Sequence, residues 1–315
     1  MYSGPLMRFS PPAAAVLLAA AVSVTGCGDG GGRTGDASVN VVATTTQVAD
    51  LVRNVAGDRA SVDSILRPNS DPHEYEPRPS DAAALSDADL VFRSGGDLDE
   101  WLDDVVDSAG GDAEQVTLID SVETRAEEDE TDPHWWQDPR NAILAVAAIR
   151  DALIAADPDG RAGYERRAAA YTAELRRLDS EVARCIEEIP ADKRKLVTTH
   201  DALGYFADRY GIEVIGAVIP SLSTQAQPSA KDVGELVEQI KSEGVEAIFP
   251  EASLSKKLED AISREAGAEV GGQLWADTLG PEGSSGATYL DATRANATAL
   301  AQGMSGGSVS CSFSG

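Results

Sequence analysis

The feature that most restricts the fold of this chain is a local pattern that occurs once in each half. Near residue 39 and again near residue 195, a β-branched, apolar segment precedes two threonines, a helical segment, a glycine and a second apolar segment. Threonine commonly begins a helix as its N-cap and glycine commonly ends one, so both helices have ordinary boundaries. Strands that alternate with helices form parallel sheets with helices on both faces. The pattern therefore predicts two α/β lobes.

Further strand-like segments complete a four-stranded parallel sheet in each predicted lobe. The segments are 39–43, 61–66, 90–93 and 116–119 in the first half, and 195–199, 214–218, 247–249 and 270–274 in the second. Between the halves, apolar residues at three- and four-residue spacing predict helices over 141–156 and 161–188. A helix of about 28 residues extends about 42 Å. We expect this long helix to join the two lobes.

The N-terminus has the composition of a targeting segment and is not part of the predicted fold. Arg8 precedes an apolar, alanine-rich run over 11–24, which is shorter than the about 20 residues of a membrane-spanning helix. The run leads into Val-Thr-Gly-Cys at 24–27, which resembles a bacterial lipobox. The resemblance implies cleavage before Cys27, lipid attachment to its sulfur and an extracytoplasmic protein anchored to the cell membrane. A plain secretory signal is the alternative.

These observations divide the chain into six predicted segments. They are a signal peptide (1–26), a flexible tether (27–38), an N-terminal α/β lobe (39–157), a linking backbone helix (158–188), a C-terminal α/β lobe (189–304) and a Gly/Ser-rich tail (305–315). Outside the cytoplasm, the two remaining cysteines, Cys185 and Cys311, form a possible disulfide. The composition of the tail argues for mobility there, so the pairing stays open.

The formal net charge of the chain is −27. Nucleic acids are bound through Lys and Arg, so this charge argues against a nucleic-acid partner. It attracts cations over a distance that salt screens. An acidic proteome would explain the same charge without any function.

Each of the three histidines in the chain lies where a metal ligand would be expected. His73 lies in Asp-Pro-His-Glu-Tyr-Glu-Pro at 71–77, and His134 lies in Asp-Pro-His-Trp-Trp-Gln-Asp-Pro at 132–139. His200 directly follows the strand-like segment 195–199. Three imidazoles and one carboxylate complete a tetrahedral zinc shell, and parallel sheets bind ligands at the carboxyl ends of their strands. The sequence therefore predicts a metal site that only the tertiary structure can assemble.

The three histidine motifs, in this order, resemble those of the zinc/manganese solute-binding lipoproteins of ABC importers. Trp-Ala-Asp-Thr-Leu at 275–279 resembles the region of the fourth ligand, and the likeness extends from about residue 39 to residue 304. It implies two α/β lobes joined by one long helix, with a metal ion in the cleft between them. The ligands that it implies are His73 and His134 from the first lobe, and His200 and Asp277 from the second.

The donor set favours zinc, since manganese prefers more oxygen ligands. Family members reported for manganese often carry glutamate where His200 stands, which also favours zinc over manganese here. Glu251 is the rival of Asp277 as fourth ligand, and otherwise a partner of a ligand. Several acidic residues are candidates for orienting the imidazoles through their second nitrogen. These candidates are Asp71, Glu76, Asp132, Asp138, Asp201 and Glu251.

One segment departs from the family pattern. Many zinc-binding members have a histidine-rich acidic loop before the second ligand, whereas residues 123–132 are acidic and contain no histidine. A solvated acidic loop is the favoured interpretation, and weak attraction of Zn²⁺ is the alternative.

The leading functional hypothesis is a monomeric receptor, not an enzyme, that captures Zn²⁺ and presents it to an ABC permease and its ATPase. A cell-surface zinc hydrolase is the second hypothesis. It would need Asp277 to leave a coordination position open for water, with Glu251 as general base. A surface adhesin of the same fold is the third hypothesis.

Overall fold

The first four-stranded sheet lies where the sequence predicts it, in a computed structural model that describes residues 38–127 and 130–314. Its strands are β1 (Val39–Ala43), β2 (Ala60–Ser64), β3 (Leu90–Arg93) and β4 (Glu114–Thr117), paired in parallel in the order β2-β1-β3-β4. Its helices are α1 (Thr46–Ala56), α2 (Pro79–Ser86) and α3 (Trp101–Ala109). The two central strands are largely buried, as a parallel sheet covered on both faces requires.

A short hairpin and two long helices follow this sheet. The hairpin strands are β5 (Ala126–Glu127) and β6 (Glu130–Thr131), and the helices are α4 (Pro139–Ala156) and α5 (Arg161–Glu187). The two helices pack against each other. With 27 residues, α5 is about 40 Å long and buries a stripe that includes Tyr164, Leu175 and Val182. The helix that the sequence predicts over 161–188 is therefore present.

The second lobe is also a four-stranded parallel sheet. Its strands are β7 (Lys195–His200), β8 (Glu213–Ile219), β9 (Ala247–Ile248) and β10 (Glu269–Val270), and its helices are α6 (Gly204–Tyr210), α7 (Ala230–Glu243), α8 (Lys257–Ala266) and α9 (Tyr289–Met304). β7 pairs with β8, and β9 pairs with β10. The N–H of Phe249 donates to the carbonyl of Val197 at 2.9 Å and joins the two pairs. The order is therefore β8-β7-β9-β10, and the predicted α/β fold with two lobes and one long helix is confirmed.

The paired threonines have different roles in the two halves. Thr45 is the N-cap of α1, where its hydroxyl accepts a backbone N–H at 3.3 Å. Thr198 and Thr199 instead lie within β7, and α6 begins at Gly204 with no side-chain cap. The threonine cap expected in the second half is therefore wrong, because β7 continues through His200 and uses those residues as strand.

The hydrophobic core does not divide at the boundary between the lobes. One buried cluster extends from β1 and α1 through α4 and α5 to α9, while smaller clusters cover the remaining face of each sheet. The sequence assigns 289–304 to the second lobe, but α9 packs against α1 and α5 as well as β9. Among the described residues, no helix combines the length and the apolar character needed to cross a membrane.

The tail packs on the body of the protein. Cys185 of α5 and Cys311 form a disulfide across a Cα–Cα distance of 5.2 Å. Val309 is buried, and the N–H of Ser314 donates to Oε1 of Glu181 at 3.3 Å. Residues 305–314 therefore pack on the body of the protein through covalent, apolar and polar contacts, a packing that the Gly/Ser composition did not predict.

The predictions for the N-terminus lie mostly outside the described residues. These predictions are the signal peptide over 1–26, lipidation at Cys27 and the tether up to residue 37. Ser38 is described, and its hydroxyl lies 3.0 Å from Oδ2 of Asp157. Asp157 also pairs with Arg59 at 2.7 Å, and this ion pair lowers the pKa of the Asp157 carboxyl well below its usual range. Ser38, at the start of the first lobe, is thus bonded to Asp157 at the C-terminal end of α4.

Candidate metal centre

His73 lies in the loop between β2 and α2, residues 65–78, which we call the His73 loop. Within it, the carboxylate of Asp71 accepts the backbone N–H of His73 at 2.9 Å. This is an Asx turn of the kind that Asp-Pro sequences favour. It orients the backbone of His73, while the ring is left free to point into the cleft.

His134 follows β6, and its orientation depends on the acidic residue two positions before it. Oδ1 of Asp132 accepts the backbone N–H of His134 at 3.0 Å and lies 2.8 Å from Nδ1 of the ring. Oδ2 of Asp132 accepts a bond from Arg125 at 2.7 Å. Burial opposes ionisation, but the bonds from His134 and Arg125 lower the pKa of Asp132. The ionised carboxylate fixes the ring so that Nε2 faces the cleft.

His200 is the last residue of β7, and its partner comes from the neighbouring strand. Oε1 of Glu251, just beyond β9, accepts the backbone N–H of His200 at 3.1 Å and lies 2.7 Å from its Nδ1. Both side chains are almost completely buried. Burial opposes a charged ring, but the carboxylates of Glu251 and Asp277 raise the pKa of His200 well above its usual value. The two carboxylates that face this imidazole therefore strengthen it as a base.

Asp277 is held by residues of the first lobe, although it belongs to the second lobe in sequence. The carbonyl of the preceding Ala276 accepts N–H donors from Gln137 at 2.9 Å, from Trp136 at 3.0 Å and from Gln47 at 3.4 Å. The backbone of Trp275 exchanges two bonds with Asn296 of α9. The carboxylate of Asp277 therefore sits on a loop that both lobes fix.

The three imidazoles and this carboxylate converge on one point. Their ligand atoms all lie within 4.8 Å of one another. The Nε2 atoms of His73, His134 and His200 are 3.3, 3.5 and 3.1 Å from the nearest oxygen of Asp277. A tetrahedral zinc ion with bonds of about 2.1 Å separates its ligands by about 3.4 Å. The three distances from Nε2 to an oxygen of Asp277 are close to this value, and the four side chains form a group able to hold one metal ion.

The polar atoms of this cluster lack hydrogen-bond partners within the described residues. All three Nε2 atoms and both oxygens of Asp277 are buried and unbonded. Burial opposes ionisation, but the charges of His200 and His134 hold the pKa of Asp277 well below its usual range. Buried polar atoms are normally paired, and five unpaired ones that face one another are a donor set suited to a cation.

Four of the acidic residues considered as imidazole partners do not contact a ring nitrogen. Asp71 bonds the backbone of His73 instead, and the other three lie elsewhere. Asp138 caps α4 and pairs with Arg140 at 2.5 Å. Glu76 is exposed to solvent. Asp201 is adjacent to His200 in sequence, but burial on another side of the strand raises the pKa of its carboxyl to about 6. Adjacent side chains at a strand end point in opposite directions, so Glu251 occupies the position that Asp201 was expected to take.

Arg125 is a residue beside the site that the sequence reasoning missed. It donates to Asp132 and contacts Glu127 and Asp208, with which it forms ion pairs at 2.9 and 3.0 Å. A Cβ atom at Gly204 would overlap the guanidinium, so the glycine of the third histidine motif leaves room for it. Arg125 is the single basic residue of the acidic stretch 123–132, and that isolation is the signal that could have identified it.

Comparisons with known proteins match this chain to metal-binding proteins along most of its length. The family model described as zinc-uptake complex component A, periplasmic, matches residues 41–303. The manganese-binding lipoprotein MntA of Halalkalibacterium halodurans is 32% identical over 294 residues, with 92% of this chain and 97% of the relative covered. MntA of Bacillus subtilis is 33% identical over 301 residues, with 92% and 98% covered. The periplasmic zinc-binding protein TroA of Treponema pallidum superposes with a TM-score of 0.79 at 30% identity, with 85% of this chain and 99% of TroA covered.

Proposed function

This chain belongs to the family of the periplasmic zinc-uptake component A, the substrate-binding proteins of metal ABC importers, and on that premise we propose that it captures Zn²⁺ outside the cytoplasm. It delivers the ion to a membrane permease that an ATPase drives. Cleavage before Cys27 and lipidation of that residue anchor it to the cell membrane, which agrees with relatives named as lipoproteins. It acts as a monomeric binding protein and not as an enzyme.

The observation that carries the proposal is the convergence of His73, His134, His200 and Asp277 on one buried point. Three neutral imidazoles and one carboxylate are the donors that zinc prefers, at a spacing that fits a tetrahedral shell. Two of the imidazoles have a carboxylate on Nδ1, an arrangement that makes Nε2 a stronger donor. We therefore propose zinc as the transported ion.

Manganese is the second candidate, because one structural observation favours it. Both oxygens of Asp277 face the imidazoles and lack other partners within the described part of the chain. If both bind, the site supplies five ligand atoms, and manganese accepts more oxygen and more ligands than zinc. The relatives named as manganese-binding lipoproteins point the same way.

The geometry gives less support to a zinc hydrolase. A catalytic zinc needs an open coordination position for water. Oxygens of Asp277 lie 3.1 to 3.5 Å from all three imidazole Nε2 atoms, which is where a fourth ligand belongs. Glu251, the candidate general base, is bonded to His200 instead. No observation in the described residues favours the adhesin hypothesis over the receptor.

Calorimetric titration tests the proposal. The metal-stripped full chain, in a nonionic detergent, is titrated with Zn²⁺ and separately with Mn²⁺. We expect one tight zinc site that His200→Ala and Asp277→Ala both weaken by at least about 100-fold, since each variant removes a direct ligand. Asp201→Asn is the matched control and should bind zinc like the unmodified protein. Tight binding that neither alanine variant changes would refute the site.

A further inference from the structure

Among the four ligands, His73 is the one nearest to solvent. Its side chain is 6% exposed, whereas Asp277 is 2% exposed and His134 and His200 are 0% exposed. The side of the cluster that His73 covers is therefore the side most open to solvent. Contacts that hold the His73 loop in place restrict access on that side.

A loop of the second lobe reaches across the cleft to the His73 loop. It follows β8, and we call residues 221–225 the 221–225 loop. The hydroxyl of Thr224 donates to Oδ2 of Asp71 at 2.8 Å, while Oδ1 of the same carboxylate accepts the backbone N–H of His73. The side-chain amide of Gln225 donates to the carbonyl of His73. Two side chains of the second lobe thus bind the backbone and the turn that position His73.

The 221–225 loop is itself anchored to the strand that carries His200. The carbonyl of Ser221 accepts the N–H of Asp201, the residue after His200, at 3.0 Å. The hydroxyl of Ser221 accepts the N–H of Ser223 at 3.1 Å and braces the turn that leads to Thr224. The 221–225 loop therefore connects the end of β7, which carries His200, to the loop that carries His73.

The bond from Thr224 has the features of one that contributes to function. Thr224 is 6% exposed, so water competes weakly for its hydroxyl, and its acceptor is a carboxylate. Hydrogen bonds to charged groups are about twice as strong as neutral ones. At its other end the His73 loop is held by Asn69, whose N–H donates to the hydroxyl of Thr278 at 3.0 Å. Thr224 and Gln225 fix the part of the loop that contains Asp71 and His73.

We propose that Thr224 and Gln225 are positioning residues that latch the His73 loop over the bound metal ion and slow its release. The inference rests on the proposed function, because it assumes that an ion occupies the cluster. Parting of the lobes must break both contacts before His73 can swing away from the ion. Loss of the latch therefore raises the rate of metal dissociation while all four ligands remain.

Stopped-flow release of Zn²⁺ to an excess of a chromogenic chelator tests the latch. The full chain in nonionic detergent is compared with Thr224→Val, which keeps the shape of the side chain and removes its donor. We expect release to become roughly tenfold faster, as for loss of a hydrogen bond to a charged group. Thr224→Ser keeps the hydroxyl and should restore the rate of the unmodified protein. Thr298→Val is the control, since Thr298 donates only to its own helix, at Arg294.

A double-mutant cycle separates a latch from a general loosening of the structure. In an Asp71→Ala background the acceptor is gone, so Thr224→Val should add no further acceleration. Gln225→Ala alters an exposed side chain and should speed release by a smaller factor, which provides a test even if Thr224→Val does not fold.

The outcomes distinguish the latch from the proposed function. If the unmodified chain binds no zinc, both ideas fail. If it binds zinc tightly but Thr224→Val and Gln225→Ala release the ion at the unmodified rate, the latch is refuted and the receptor function stands. Equal acceleration by Thr298→Val, or acceleration by Thr224→Val that persists in full with Asp71→Ala, would also overturn the latch.

Discussion

His134 of the first lobe and His200 of the second are oriented by the same hydrogen-bond arrangement, although different residues provide the carboxylate. In each case one carboxylate oxygen accepts both the backbone N–H and the ring Nδ1 of the histidine. For His134 the carboxylate is Asp132, two residues away. For His200 it is Glu251, 51 residues away and just beyond β9. The arrangement is local in the first lobe and tertiary in the second.

The two carboxylates also differ in what balances their charge. The second oxygen of Asp132 is paired with Arg125 at 2.7 Å, whereas the second oxygen of Glu251 is buried with no partner in the described structure. An unbalanced carboxylate makes its imidazole a stronger base, for protons as well as for metal ions. The carboxylate in the first lobe is therefore fixed by an ion pair, whereas the carboxylate in the second lobe raises the affinity of His200 for a proton that competes with the metal ion.

Among changes to the partners of the ligands, the largest effect should come from the isosteric change Asp132→Asn. It removes the negative charge that balances the partly buried guanidinium of Arg125. The uncompensated positive charge of Arg125 then repels a metal ion bound to the imidazoles. We expect zinc affinity to fall by about 100-fold, the upper end for partners of metal ligands. Calorimetry or competition with a chelator would measure it. A loss no greater than that of Glu251→Gln would mean that the balance of charge by Arg125 is unimportant.

Glu251→Gln should have a smaller effect of about tenfold. The amide oxygen can still accept the Nδ1–H of His200, and no cation loses a partner. The same binding assay checks this, with thermal unfolding of the metal-free form as the control for folding. Binding that falls below that of Asp132→Asn would reverse the order of the two lobes.

His200 in the second lobe should contribute to the pH dependence of zinc binding. Since the pKa of His200 is raised in the metal-free protein by Glu251 and Asp277, against the effect of burial, zinc must displace a proton at any pH below that raised pKa. Zinc affinity should therefore fall as pH falls, by up to about tenfold per unit for one displaced proton. Titrations from pH 8 to pH 6 would show it. A slope that Glu251→Gln leaves unchanged would contradict this assignment.

The smallest effect should come from Arg125→Gln, which makes the first lobe resemble the second. Removal of a positive charge from the vicinity of the site should strengthen zinc binding by about threefold at pH 8, because a partly exposed ion pair contributes less than about 1 kcal/mol. Weaker binding would show that Arg125 mainly holds Asp132 in position.

The difference between the lobes also explains which parts of the site could be predicted. Asp132 and Asp201 were candidates for the same reason, since a carboxylate commonly binds the second nitrogen of a ligating imidazole. In the structure Asp132 lies against Nδ1 of His134, whereas Glu251 and not Asp201 lies against Nδ1 of His200. Glu251 was considered as a ligand or a partner of one, but no local pattern could choose between these roles.

The fold shows the same division between local and distant information. The long helix over 161–187 has a three- and four-residue apolar spacing that is visible without any tertiary contact. The position of α9 against α1 and α5, and the packing of the tail through Cys311, depend on surfaces that exist only after the lobes have formed. The Gly/Ser composition of the tail suggested mobility. Composition contains no information on the contacts that the tail makes.

The sequence by itself determined the two α/β lobes, the long helix between them and the residue types of a histidine-rich metal site. Each of these follows from spacing or chemistry within a short segment. Only the tertiary structure decided that Glu251 orients His200, that the first lobe holds the loop of Asp277, and that Thr224 reaches the turn of His73. These contacts join residues far apart in the chain, and their geometry depends on how the two sheets pack around their common core.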